Sequence, residues 1–212
     1  GSKAERTERI IDYFNSLKTK EPEASDDPRA VYYQYFEEFA ARDNKNLYQR
    51  KLIQHDREME GCFEEGTRYL FEVKLGCELV PMAGSDHADG CVEFPNGELL
   101  LWDNKGKEAV YTFPKAHSDQ FKRYIRESAR RVNVFLVIVP SYDPAARLQA
   151  MKLKHETTTD TDVALITAED LKWLAENWQK KTGAETFTIE IFNMTGLLDR
   201  ATLEERMKVL MG

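Results

Sequence analysis

Residues 132–139 read Val-Asn-Val-Phe-Leu-Val-Ile-Val, a strand-length apolar run that constrains the fold more than any other segment. A strand wetted on one face alternates apolar with polar residues, whereas a run without alternation belongs in the middle of a sheet covered on both faces. Residues 163–166 have the same character and are expected beside it. Helical patterns surround these strands. Residues 118–131 place Phe121, Tyr124, Ile125 and Ala129 on one face, and Thr167 with Asp170 makes a capping-box-like start to a helix through Trp173 and Leu174. Residues 91–94 and 98–102 are extended segments flanking Pro95-Asn96-Gly97, a strong hairpin signal. Residues 65–79, with Tyr69, Leu70, Val73, Leu75 and Leu79 in period, predict a buried helix carrying Glu72 near its middle. The order helix, hairpin, helix, strand, helix, strand, helix predicts an α/β three-layer fold with a central mixed sheet.

The first sixty residues read differently, as a helical extension to a domain spanning 61–212. Ile10, Ile11, Phe14 and Leu17 give residues 5–17 a helical spacing, residues 18–27 form a charged linker before Pro28, and residues 30–42 repeat the helical pattern with Val31, Tyr35, Phe36 and Phe39. Residues 44–60 are polar and weakly patterned. An aromatic stripe at this spacing is more often core than partner surface, and no chemistry is assigned to it. Gly1-Ser2 reads as a cloning remnant, so the natural chain is expected to begin elsewhere and to be part of something longer.

Composition narrows the function. No apolar run approaches the roughly 20 residues that a membrane-spanning helix needs, and no signal-peptide core is present, so an intracellular protein is expected. Cys62, Cys77 and Cys91 form no C-x-x-C pair and the four histidines have no ligand spacing, so neither zinc nor disulfides are indicated. The net charge of -7 argues against a surface that grips nucleic acid strongly by itself. Lys115, Lys122, Arg126, Arg130 and Arg131, with Lys152 and Lys154 later, suggest a local positive groove; charge runs are also usually just solvated faces.

The chemistry concentrates at the hairpin. Asp89 precedes its first strand, Asp103 ends its second, and Lys105 follows two residues on, on the same face of an extended segment. Two carboxylates in one cleft make a hard oxygen site suited to Mg²⁺, and an ammonium beside it can position an attacking water or offset charge, which is what phosphodiester hydrolysis requires. An Asp-x-Lys triplet also arises by chance, and Asp-Gly is a common turn dipeptide, so spacing alone leaves catalysis open. His87 beside Asp89 reads as incidental, His117 and His155 still more so, and Trp173 and Trp178 as core anchors.

Ala88-Asp89-Gly90 followed by Leu100-Leu101-Trp102-Asp103-Asn104-Lys105 resembles the P-D-G and D-x-K signature of the PD-(D/E)xK nucleases, and specifically the FokI-type cleavage domain. Leu70-Phe71-Glu72-Val73-Lys74 is similar to that family's segment on the helix before the site. From Asp103 to Tyr124 the spacing resembles the family's without a gap, through Tyr111, Pro114, Ser118-Asp119 and Arg123-Tyr124. Gly196-Leu197-Leu198 and Leu203-Glu204-Glu205-Arg206 resemble its closing segment, so the likeness runs from Phe63 to Met207. Ala88 departs from the family's proline, which removes a rigid turn residue without touching a ligand.

The resemblance implies a restriction-endonuclease-like core, with Asp89 and Asp103 as ligands of Mg²⁺ (Mn²⁺ as a substitute) and Lys105 orienting the nucleophilic water. It matches Glu72 to a helix carboxylate that assists the metal, although a helix Glu is as often a solvated residue. It matches Asp119 and Arg123 to residues that form reciprocal salt bridges between two cleavage domains; the alternative is an intrahelical pair four residues apart. It further implies DNA as substrate, a homodimer, a separate DNA-reading domain or subunit, no membrane, and a place in a restriction or DNA-defence system of the prokaryotic cytoplasm. A catalytically silent scaffold, or a structure-specific or RNA-directed nuclease, are the alternatives.

Overall fold

The computed structural model describes residues 25–82 and 87–210. The helix expected over residues 5–17 lies outside them. Six strands form one sheet in sequence order: β1 (Glu78–Leu79), β2 (Gly90–Glu93), β3 (Leu99–Asn104), β4 (Val134–Val139), β5 (Asp162–Thr167) and β6 (Gly196–Leu198). β1, β2 and β3 pair antiparallel, whereas β3 through β6 run parallel. The sheet is therefore mixed, and helices cover both faces.

Every residue of β4 is buried, as the unalternating apolar run requires. Its odd and even positions feed different cores. Val134, Leu136 and Ile138 join Leu100, Trp102, Ala164 and Ile166 on one face, while Phe135, Val137 and Val139 join Leu101, Val163 and Leu165 on the other. Full burial of about six such side chains stabilises by roughly 1.5 to 3 kcal/mol each.

The second face is closed by α5 (Lys115–Glu127) and α6 (Ala146–Thr157), with Phe121, Tyr124, Ile125, Ala150 and Leu153 inward. α5 stops before Ser128, whose backbone is extended, so Ala129 is exposed rather than inward as its spacing suggests. The first face carries α1 (Ala30–Gln34), α2 (Phe36–Ala40), α3 (Asn44–Gln49), α4 (Glu58–Tyr69), α7 (Ala168–Thr182) and α8 (Arg200–Leu210). The hydroxyl of Thr167 accepts the Asp170 N–H at 3.0 Å, which realises the expected helix start.

Tyr33, Phe36, Phe39, Leu47 and Ile53 are buried in the same core as Leu100 and Trp102. The core thus holds residues from both sides of the boundary expected at residue 60, and α4 itself runs across it. The single helix expected over 30–42 is two short ones joined at Tyr35.

The helix expected over 65–79 is also rearranged. α4 gives way to a π-turn over Leu70–Lys74, in which the Leu75 N–H donates to Leu70 O at 3.0 Å. The wider turn rotates its side chains relative to those of a regular helix, so Val73 is 47% exposed instead of inward, and Gly76, at φ 65, ends the segment. The hairpin turn differs from a two-residue Asn-Gly turn. Gly97 N–H donates to Phe94 O at 2.8 Å, which puts Pro95 and Asn96 at the turn's centre and Gly97, at φ 84, in the left-handed position that completes a three-residue loop. Among the described residues no helix is long and apolar enough to cross a membrane.

Candidate active site

Strand pairing assembles the centre. The Asp89 N–H donates to Trp102 O at 3.0 Å, and Asp89 Oδ2 accepts the Asn104 N–H at 2.6 Å, so the turn into β2 is fastened across the end of β3 on both sides of Asp103. Gly90 is obligatory there. A Cβ at this position would lie 2.0 Å from Trp102 Cζ2, because the indole, stacked on Phe71 at 5.0 Å, covers the glycine.

Alternation then sorts the end of β3. Asn104 faces α4, donating from Nδ2 to Thr67 Oγ1 at 2.6 Å and to Phe63 O at 3.3 Å. Asp103 and Lys105 face α5. Asp103 is 1% exposed, with Lys105 Nζ 2.5 Å from its Oδ1. Nζ also reaches Gln120 Oε1 at 3.3 Å and lies 5.4 Å above the Phe121 ring. The three residues expected to form the centre are thus brought together.

The site is an electrostatic compromise. Burial pushes the Asp103 carboxyl up to about 7, the negative charge of Asp89 adds to this, and Lys105 opposes it. Burial likewise raises Asp89, against the Asn104 N–H and the cations Lys105 and Arg68. A further carboxylate shares the field: Glu64, on α4, is pushed up to about 7 by burial and then by Asp89 and Glu60. Sequence reasoning passes over Glu64. The one signal for it is its position three residues before Thr67, the residue that fastens Asn104 to α4.

The residues fit a divalent cation. Asp103 Oδ1 accepts no hydrogen bond of ordinary geometry beyond its ion pair with Lys105. Among the described residues no three His, Cys, Asp or Glu side chains stand at ligand spacing, and Asp89 and Asp103 are two buried carboxylates that share one field. One or two carboxylates supplemented by water and substrate phosphate is the coordination Mg²⁺ ordinarily accepts.

Glu72 stands apart from this centre. The π-turn carries it outward, where it is 47% exposed and takes the guanidinium of Arg29 at 2.6 Å. Asp119 and Arg123 are both exposed on α5, four residues apart, with the Arg123 guanidinium 5.5 Å over the Tyr124 ring. Most of the cations singled out as a groove are engaged within the fold: Lys122 with Glu156, Arg126 with Glu156 O, Arg130 with Glu93, Arg131 with Asp160, and Lys154 with Asp162. Trp178 is a core anchor, whereas Trp173 lies half-buried between Lys181 and Arg200. His87 holds Ala88 O at 2.5 Å through Nδ1.

A cleft of about 420 Å³ opens beside Lys105. Arg42, Glu60, Lys107 and His117 line it with Lys105, over an apolar wall that includes Phe39 and Phe63. The Lys107 N–H donates to Ala40 O at 2.9 Å, so the segment after α2 is tied to the loop after β3 and brings Arg42 to the cleft.

A family model described as the cleavage domain of FokI matches residues 24–197. Among solved structures, the restriction endonuclease FokI bound to DNA is similar with a TM-score of 0.59 and 16% identity, covering 93% of this chain and 34% of that one. The structure of the restriction endonuclease FokI is similar with a TM-score of 0.55 and 18% identity, covering 66% of this chain and 29% of that one. The chain thus spans about a third of the length of the structures it matches. No curated protein matches.

Proposed function

This chain belongs to the FokI cleavage-domain family, and from that premise we propose that it is a metal-dependent endonuclease module that hydrolyses DNA phosphodiester bonds with little sequence preference of its own. The observation that carries the reading is the convergence of Asp89, Asp103 and Lys105 at the end of β3, where two mutually repelling buried carboxylates share one ammonium.

Asp89 and Asp103 are the residues that would hold Mg²⁺, with Mn²⁺ as a substitute. When bound, such a cation polarises the phosphoryl oxygen and lowers the pKa of water. Lys105 supplies what the carboxylates cannot: a fixed positive charge at the cleft, able to orient the attacking water and to offset charge developing on the phosphate. Phe121 and Gln120 hold its head in place. Glu64 is the better choice for the assisting helix carboxylate, because it shares the field of Asp89 while Glu72 is paired with Arg29.

One such site cuts one strand. Two copies related by a two-fold axis would cut both, with Asp119 of one facing Arg123 of the other across α5. The net charge of -7, together with the internal pairing of most basic residues, favours delivery to DNA by a separate recognition domain or subunit. Supercoiled plasmid incubated with Mg²⁺, with EDTA, and with the Asp103→Ala and Lys105→Ala variants tests the proposal. Metal-dependent nicking that rises more than linearly with protein and vanishes in both variants supports it; intact plasmid at high protein concentration with Mg²⁺ or Mn²⁺ refutes it.

A further inference from the structure

His117 stands on the wall of the cleft beside Lys105, and its ring is set with more care than a solvated surface histidine needs. The imidazole stacks on Tyr111 with ring centres 5.6 Å apart and planes 16° from parallel, and Phe121 lies 6.0 Å from it. Tyr111 is itself buried and tied down: it is 1% exposed, and its backbone N–H and C=O are bonded to Ser141 and Asp143 at 2.9 Å each. The Tyr111 hydroxyl and His117 Nδ1 are 3.0 Å apart.

That contact determines which ring nitrogen carries the proton. Among the described residues the Tyr111 hydroxyl has no other hydrogen-bond partner, so its O–H has only Nδ1 to donate to. With the proton on Nδ1 the hydroxyl oxygen would have to accept, and its own buried O–H would be left without an acceptor among the described residues. Nδ1 is therefore the acceptor, and Nε2 carries the hydrogen. Burial and the nearby charges of Lys105 and Lys107 push the imidazole down to about 4, which keeps it neutral. Nε2 has no partner among the described residues.

The cleft that His117 lines holds Arg42 and Lys107 against one carboxylate, Glu60, beside Lys105, whose ammonium is paired with Asp103. An anionic oxygen is the group this surround attracts. We propose that His117, with its tautomer set by Tyr111, donates its Nε2–H to a backbone phosphate of DNA seated in this cleft. The inference rests on the nuclease reading above and adds to it a neutral phosphate donor beside the catalytic lysine. Its advantage over a further cation is directional: a fixed N–H orients the phosphate without competing with a metal for the carboxylates.

The test uses the whole chain in EDTA, so that DNA is bound but not cut. Long-range ¹H–¹⁵N correlation of the imidazoles is expected to show Nε2 protonated and Nδ1 bare at His117, with the Nε2 resonance shifting as a DNA duplex is added. By anisotropy, His117→Ala is expected to weaken duplex binding about tenfold, the scale of one hydrogen bond to a charged group. It should leave the slope of log Kd against log salt unchanged, whereas Lys107→Ala should reduce that slope by about 0.9, the contribution of one phosphate neutralised by a cation. His117→Gln, which keeps an N–H donor, should recover part of the affinity, and Tyr111→Phe should mix the tautomers. An Nδ1–H tautomer, an Nε2 resonance unmoved by saturating DNA, an unchanged Kd in His117→Ala or a slope reduced by that variant overturns this inference alone. Absence of both duplex binding and plasmid cleavage at high wild-type concentration with Mg²⁺ or Mn²⁺ overturns the nuclease reading with it, and plasmid cleavage without measurable duplex binding overturns this inference alone.

Discussion

Replacing Asp103 by Asn should make the metal-free protein more stable at alkaline pH while abolishing its activity. Burial and the charge of Asp89 push the Asp103 carboxyl from its ordinary 3.8 up to about 7. Below about pH 4 the group is protonated in folded and unfolded chains alike, and no penalty exists. As pH rises toward 7 the unfolded chain releases the proton and the folded chain retains it, so stability falls; above 7 the full penalty applies. About three units at 1.36 kcal/mol each set a ceiling of about 4 kcal/mol. Asn stands in for the neutral carboxyl, and because the value of about 7 is already net of the attraction of Lys105, no separate ion-pair loss applies. The expected gain is therefore up to about 4 kcal/mol at pH 8, shrinking toward zero near pH 4. Urea unfolding in EDTA at several pH values reads this directly. Excess Mg²⁺ should then stabilise the wild type and not the variant, since only a state that binds the ion gains from it. An Asp103→Asn protein no more stable than wild type at pH 8, or stabilised equally at all pH values, would refute the claim that the site stores electrostatic strain for a cation.

Gly90→Ala should cost at least about 1 to 3 kcal/mol, because its Cβ would fall 2.0 Å from the Trp102 indole; thermal melting should drop by several degrees, and an unchanged melting temperature would show that the indole has room to move. Glu64→Gln should lower plasmid cleavage well below wild type while Glu72→Gln leaves it within about twofold; the reverse order would return the assisting role to the residue paired with Arg29. Asp119→Arg and Arg123→Asp should each make double-strand cleavage slow when alone and restore it when mixed, as measured by linear product from plasmid; full activity in either single variant would mean the two residues do not meet across copies.

The central sheet is legible in the sequence because its demands are one-dimensional. β3, β4 and β5 must be apolar on both sides, and Thr167 and Asp170 announce α7 by adjacent chemistry. The placing of the candidate trio is legible for the same reason, since strand alternation and one hairpin suffice to gather Asp89, Asp103 and Lys105. The features that escape such a reading depend on departures from regular period. The π-turn over Leu70–Lys74 adds a residue that a 3.6-residue template cannot register, which turns Val73 and Glu72 outward. α5 ends at Ser128 without a glycine or proline to mark it, and so spacing alone assigns Ala129 to the core. β1 and β6 are too short to show a pattern at all. His117 becomes informative only when the fold places Tyr111 against it, six residues away along a loop with no period.

The two shortest strands, of two and three residues, form the two edges of the sheet. A long free edge presents a row of open backbone donors and acceptors, which any other exposed strand can extend indefinitely into insoluble aggregates. Here that template is truncated on both sides. Copies of the molecule can therefore come close together without a strand of one extending the sheet of another.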